Sequence, residues 1–204
     1  MLVLFLILLL AVIAFFKTDV KDKFIKPKYE DVIKSDIDYD SDGIDDYTDI
    51  LNGAKDFISK KPKYKSKYYD GGYPTDEYRV CTDIIWYALK NAGYDFKTLI
   101  DEDIKNNKDE YDEDVGDTNI DFRRVRNIKV YLDRNALKLA NDSDFNPGDI
   151  VVYKKHIAIV SDKVNSKNEN YILHQHMYQA YEYDGLFKNE ILGHYRWRLN
   201  DGKK

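Results

Sequence analysis

The sequence predicts an α+β domain, a helix-bearing half followed by an antiparallel sheet, and three observations predict it. First, Ile84, Ile85, Ala88, Leu89 and Ala92 recur on one face at helical spacing, and Gly93 supplies a stop. Second, the period changes in the carboxyl-terminal third. Asn146-Pro147-Gly148-Asp149 is a turn, and 150–153, 156–161 and 171–174 read as successive short strands rich in Ile, Val and Tyr. Third, 204 residues with 43% hydrophobic and 34% charged side chains, but only 10 Gly and 4 Pro, match one folded core that needs no cross-links. No internal repeat is present.

Composition also excludes functions. The net charge is −5, so no global positive field exists to hold nucleic acid, and no nucleic-acid partner is expected. The single cysteine, Cys81, has no disulfide partner within the chain and cannot alone build a thiolate metal cage, which leaves it as core filler or a reactive thiol.

Residues 2–16 contain no polar side chain. At ~1.5 Å per helical residue the run falls somewhat short of a ~30 Å hydrocarbon layer, so residues 1–16 read as a signal peptide or a short membrane anchor. No Lys or Arg precedes the run, which speaks against a cleaved signal, whereas small residues at Val12 and Ala14 suit cleavage. Either way the remainder is expected outside the cytoplasm, membrane-anchored or secreted, with the membrane as a partner if the segment is uncleaved. Residues 17–35, rich in alternating Lys and Asp and carrying Pro27, read as a tether.

Residues 36–59 form an acidic loop followed by a helix. Asp38, Asp40, Asp42, Asp46 and Asp49 fall at positions one, three, five, nine and twelve of a calcium-type loop, with Gly43 at six and the Ile44 carbonyl at seven. A hard cation takes six to eight oxygens, and this spacing supplies them, so Ca2+ is the expected structural cofactor. Downstream, Ile50, Leu51, Ala54, Phe57 and Ile58 recur at helical spacing. Position twelve is Asp rather than Glu, position eight is Asp45, and no strong helix precedes the loop, so it resembles a lone dockerin-type half-site. The competing reading is a solvated acidic turn whose Asp45 or Asp46 caps the helix.

Residues 60–204 carry the chemistry. Between residues 60 and 73 five lysines interleave with Tyr64, Tyr68, Tyr69 and Tyr73, a mixture suited to stacking on sugars or to a loop draped over the domain. Cys81 sits at or just before a helix amino terminus, where free amides and the macrodipole favour thiolate. A nucleophile needs a base. His156 shares a strand face with Ala158 and Val160, and His174 shares one with Ile172, so neighbouring strands bring the two imidazoles together. His156 is then the base and His174 its orienter.

Several stretches resemble a known family: Gly72-Tyr73-Pro74, Val80-Cys81-Thr82-Asp83, Ile120-Asp121-Phe122-Arg123-Arg124-Val125, Pro147-Gly148-Asp149-Ile150-Val151, His156 to Asp162, and Gly193-His194-Tyr195-Arg196. Together, over roughly residues 45–198, they resemble the YijF-like bacterial domain-of-unknown-function family, itself similar to the NlpC-type papain-like cysteine peptidases, which are cell-wall hydrolases. The resemblance implies a papain-like fold with the Cys at the start of a helix packed on an antiparallel sheet, and a site of Cys81, His156 and His174. It departs from the peptidases at Val80 and Thr82, where Asp and Ser are usual, and in an extended loop over 163–170.

Arg123 and Arg124 are expected to clamp a substrate carboxylate, with Tyr73 beside them, and the competing reading pairs the arginines internally with Asp83 or Asp121. The implied activity is that of an exported cysteine amidase or endopeptidase acting on peptidoglycan stem peptides or another cell-surface peptide. The alternatives are a calcium-stabilised, non-hydrolytic surface-binding module on the same scaffold, and a thioester acyltransferase.

Overall fold

A computed structural model describes residues 27–197. The apolar run and the first part of the tether lie outside the described residues, and among those described no helix is long and apolar enough to cross a membrane.

The domain is α+β. Its helices are α1 (Asp46–Ser59), α2 (Asp83–Asn91), α3 (Phe96–Asn106) and α4 (Val125–Asn135). The strands are β1 (Lys28–Tyr29), β2 (Lys63–Tyr64), β3 (Tyr78–Arg79), β4 (Leu137–Leu139), β5 (Ile150–Tyr153), β6 (His156–Val164), β7 (Asn170–Gln175), β8 (Ala180–Tyr183) and β9 (Ile191–Arg196). The main sheet has the order β4-β9-β5-β6-β7-β8 with every pair antiparallel, and β1 adds to the far end of β6. β2 and β3 form a separate parallel pair.

Both faces of the central strands are covered. Ile150, Val152, Ile157, Ile159, Leu173 and Tyr195 face the helices, whereas Val151, Tyr153, Ala158, Val160, Ile172 and Ile191 join Leu186 in a second, smaller core. This two-sided burial explains why β5 reads as a continuous apolar run instead of alternating. The strand after His156 runs on to Val164, so the loop expected over 163–170 is shorter. Asn165 closes it by accepting backbone N–H groups from Lys167 and Glu169, and Asn168 takes the left-handed conformation, φ 65°.

Helix α1 starts at Asp45, whose carboxylate accepts the Thr48 N–H and hydroxyl. Its apolar stripe of Ile50, Leu51, Ala54 and Phe57 packs against the Ile84, Ile85, Ala88 and Leu89 face of α2. The two helices approach closely because Gly53 has no side chain. A Cβ there would lie 2.7 Å from the Asn91 Cβ and 2.9 Å from the Ala88 Cα. At an open helix position Gly→Ala stabilises by about 1 kcal/mol. Here the sign is expected to reverse, with Gly53→Ala lowering stability by roughly 1–3 kcal/mol in urea denaturation. A stabilised variant would show that the helices can separate at no cost.

Candidate active site

Helix α2 begins at Asp83 with Thr82 as its cap residue, so Cys81 lies just before the helix. A buried carboxylate builds that turn. Asp83 Oδ2 accepts the Val80 N–H at 2.7 Å, and Oδ1 accepts the Trp86 indole N–H at 2.9 Å. Both oxygens also accept from Arg123, Nε at 2.7 Å and Nη2 at 2.9 Å, and the two side chains are 1% and 0% exposed. Thr82 Oγ1 donates to the Arg123 carbonyl at 2.9 Å. The residues on both sides of Cys81 are therefore fixed by one ion pair.

This corrects the substrate-clamp expectation. Arg123 is wholly engaged inside the protein, its Nη1 donating to the Lys67 carbonyl as well. Arg124 pairs with Asp114 and Asp121. Tyr73 packs edge-on against Trp86 and Phe122 and donates its hydroxyl to Asp95. None of the three lines the cavity described next. The internal pairings of the arginines with Asp83 and Asp121 are the ones present. Arg196 is likewise internal, forking onto Asp149 at 2.8 Å from both Nε and Nη2, while buried His194 points its ring nitrogens at Asp149 and the Ala140 carbonyl.

The sheet positions the histidines. The two-residue turn Lys154-Lys155 sets Tyr153 opposite His156, and the register Ile159↔Leu173, Val160↔Ile172 makes His156 and His174 diagonal neighbours on one face. The rings meet, with His156 Nε2 2.8 Å from His174 Nδ1. Both line a cavity of about 710 Å³ that Cys81 also lines, and the Ile157 backbone amide, adjacent to His156, reaches the Cys81 thiol. The expected trio is thus gathered around one concavity.

Several cavity residues escape sequence reasoning. Tyr181 meets the His174 ring edge-on at 4.8 Å, Tyr183 stacks on it at 5.6 Å, and His176 lies 5.8 Å from it. The available signal was alternation: Tyr181 and Tyr183 share a strand face, and His176 follows His174 by two residues, just past the end of β7. With 18 tyrosines in the chain, the residue type alone marked nothing.

Burial dominates the electrostatics. It pushes the Cys81 thiol up to about 11, Asp83 adds to the rise, and the backbone amides of Ile157 and Thr82 oppose it. The expectation that the helix start favours thiolate is overturned in sign, because desolvation outweighs the amides. Burial also lowers His156 to about 4, with His176 adding to the effect, and His174 to about 3, with His156 and His176 adding. At neutral pH the resting site is a neutral thiol beside two neutral imidazoles. The Nε2 of His174 is buried without a hydrogen-bond partner.

Because both histidines are depressed below the ordinary 6.5, the unfolded chain takes up protons first as pH falls. Their contribution to stability is complete above pH 6.5 and is lost as pH drops from there toward 4 for His156 and 3 for His174. Replacing both, by His156→Gln with His174→Asn, is expected to flatten the fall in denaturation midpoint across that window. An unchanged slope would place the acid sensitivity elsewhere.

The acidic loop lies beyond the opposite end of α2. Asp38, Asp40 and Asp42 each offer a carboxylate oxygen within 4.8 Å of the others. Asp46 is a brace and not a free ligand, since its oxygens accept the Tyr39 N–H and the Tyr94 hydroxyl. Asp49 is 2% exposed, and its Oδ2 has no hydrogen-bond partner.

Comparison with known proteins bears on this arrangement. The family model described as Domain of unknown function (DUF1287) matches residues 51–197. "Uncharacterized protein YijF" of Escherichia coli (strain K12) is 32% identical over 164 residues, covering 72% of this chain and 80% of the relative. No solved structure matches the chain. The matched stretch holds the Cys81 turn, its Arg123 partner, both histidine strands and the Asp149–His194–Arg196 network in a single span, and the chain accordingly belongs to the DUF1287 family.

Proposed function

We propose that the cavity is the active centre of a papain-like cysteine hydrolase of NlpC type, exported and acting on amide bonds in peptidoglycan stem peptides. One observation carries the reading. The 2.8 Å contact between His156 Nε2 and His174 Nδ1 orients an imidazole inside the cavity that Cys81 lines at a helix start. The apolar segment at 2–16 supports export.

In this mechanism His156 donates its Nε2–H to His174 Nδ1, which leaves His156 Nδ1 as the base. Because thiol and imidazole rest neutral, the Cys81 proton passes to Nδ1 as sulfur attacks the carbonyl carbon. Collapse of the tetrahedral adduct breaks the C–N bond, the leaving amine takes that proton, and an acyl thioester remains on Cys81. Water then gives its proton to His156 and attacks the thioester, and the proton returns to the departing sulfur. The same intermediate resolved by an amine would be an acyl transfer. The wall of Tyr153, Tyr181 and Tyr183 suits a peptide substrate that buries apolar surface.

A second reading, a binding module on the same scaffold, is favoured by the Cys81 thiol standing at about 11. Turnover and alkylation separate the two. With purified protein on peptidoglycan, Cys81→Ala and His156→Ala are expected to lower kcat/KM by about 10³-fold or more, and His174→Ala by about 10²-fold, while circular dichroism stays native. Cleavage retained in Cys81→Ala would overturn the hydrolase. Equal iodoacetamide labelling rates for wild type and His156→Ala, with no turnover in either, would support the binding module.

A further inference from the structure

We infer that the cavity selects its peptide by a free carboxylate close to the bond attacked, with Lys188 holding that carboxylate and Lys154 and Lys155 drawing it in. The inference names the substrate class for the proposed hydrolase and rests on that reading for turnover, whereas its binding half needs no cleavage.

The sheet brings the three lysines together. Tyr153 pairs with His156 on one side and with Ile191 on the other, so the Lys154-Lys155 turn lies beside the connection that leads into β9. That connection carries Lys188 and is held in place. The Tyr153 hydroxyl donates to the Leu186 carbonyl at 2.9 Å, and the Lys188 N–H closes a turn onto the Gly185 carbonyl. All three lysines line the same cavity as Cys81, His156 and His174.

Their charge has no partner within the protein. The chain is acidic overall, −5, and other lysines sit on carboxylates: Lys55 on Asp162, Lys67 on Asp76, Lys129 on Asp133. Among the described residues, none of Lys154, Lys155 and Lys188 forms an ion pair. Glu190 is the one carboxylate side chain lining the cavity, and Asp184 acts on Lys188 only from a distance. The floor adds no opposing charge, since Cys81, His156 and His174 rest neutral. A cleft lined by one sign of charge, with apolar walls, focuses its field and concentrates ligands of the other sign.

Lys188 is the cation placed to hold the ligand. Its ammonium lies 4.4 Å from the centre of the Tyr183 ring and donates to the Tyr183 hydroxyl at 2.9 Å. An ammonium carries three N–H groups, so two remain for a carboxylate. Tyr183 in turn stacks on His174 at 5.6 Å. At ~3.3 Å per extended residue, a carboxylate on Lys188 falls within about three residues of the bond attacked. In a peptide the group that bears negative charge at neutral pH is a carboxylate, and lysine reads its position as a point charge without fixing its plane.

The test pairs binding with turnover on the full chain, and its probes are muropeptides freed from peptidoglycan, either native or with their carboxyl groups amidated. Calorimetry on Cys81→Ala is expected to show the native form binding about 10-fold tighter, with the gap shrinking as NaCl rises from about 50 to about 300 mM. Lys188→Met keeps the stem and drops the charge. It should raise KM about 10-fold with kcat within about 2-fold, and Lys188→Arg should recover most of the loss. Lys154→Gln with Lys155→Gln should raise KM about 3-fold and flatten its salt dependence. Lys90→Gln, an exposed lysine outside the cavity, should change neither. Without turnover the same ratios are read as Kd. Equal affinity for the two muropeptide forms, an unchanged KM in Lys188→Met, or an equal effect from Lys90→Gln would each overturn the inference. Carboxylate-dependent binding with no cleavage by wild type would overturn the hydrolase and leave the inference standing, and cleavage without carboxylate preference would do the reverse. Binding of neither form would overturn both.

Discussion

The Asp83 carboxylate is the constraint on which the site depends. It accepts hydrogen bonds from the backbone before Cys81, from the indole one turn on, and twice from Arg123, forty residues away. Desolvating two opposite charges is repaid only when the remaining lone pairs are met, and here they are. The pair ties the Cys81 turn to the 3₁₀ turn at Asp121–Arg123, and the Thr82 hydroxyl repeats the tie through the Arg123 carbonyl. Removing one partner of such a buried pair costs about 3–5 kcal/mol, since the other charge is left alone. Lysine would not replace Arg123, because only the planar fork reaches both carboxylate oxygens while a third nitrogen holds the Lys67 carbonyl. The arginine that a substrate clamp would need is thus the arginine that places Cys81.

Burial decides the chemistry of the three cavity residues more than their neighbours do. Helix-start amides pull the Cys81 thiol toward ionisation, but the apolar wall pushes harder, and the thiol ends at about 11. The histidines are driven the same way, toward the neutral form. A neutral thiol and a neutral imidazole side by side hold no ion pair to desolvate when a substrate enters. In the proposed reaction they would give no nucleophile in advance, so proton transfer would accompany attack. Substrate that displaces water would strengthen the His156–His174 contact further, since a hydrogen bond gains in low dielectric.

Legibility in the sequence followed periodicity. The α2 face and the two histidine strands could be read because apolar residues recur at fixed spacing, and the same spacing placed His156 and His174 on one face. Helix α3 was harder, since Phe96, Ile100 and Ile104 are isolated among Lys, Asp and Glu, and its burial comes from packing. Strand β8 is mostly half-exposed, so its Tyr-Glu-Tyr alternation has no apolar contrast to show. The role of Arg123 was beyond reach because a clamp and an internal pair use the same residues, and only the approach of Asp83 across forty positions separates them. The Cys81 shift was hidden for a similar reason: the helix start is local, but the wall that desolvates the thiol is assembled from distant strands.

Helix α2 has Cys81 just before one end and packs against the acidic loop at the other, which raises the question of whether a change at the loop could reach the cavity. A switch requires an element with two packed arrangements that both ends bias. Ile84, Ile85, Ala88 and Leu89 are each 0% exposed, Gly53 leaves no gap between α1 and α2, and Asp83 is held by donors on three sides. A helix so packed cannot slide or turn without opening a cavity and stranding a buried charge, each costing several kcal/mol. With no second arrangement within reach, a change at the loop leaves the geometry around Cys81 as it is. The loop and its contacts with Asn91 and Tyr94 therefore steady the helix pair as a whole without repositioning Cys81.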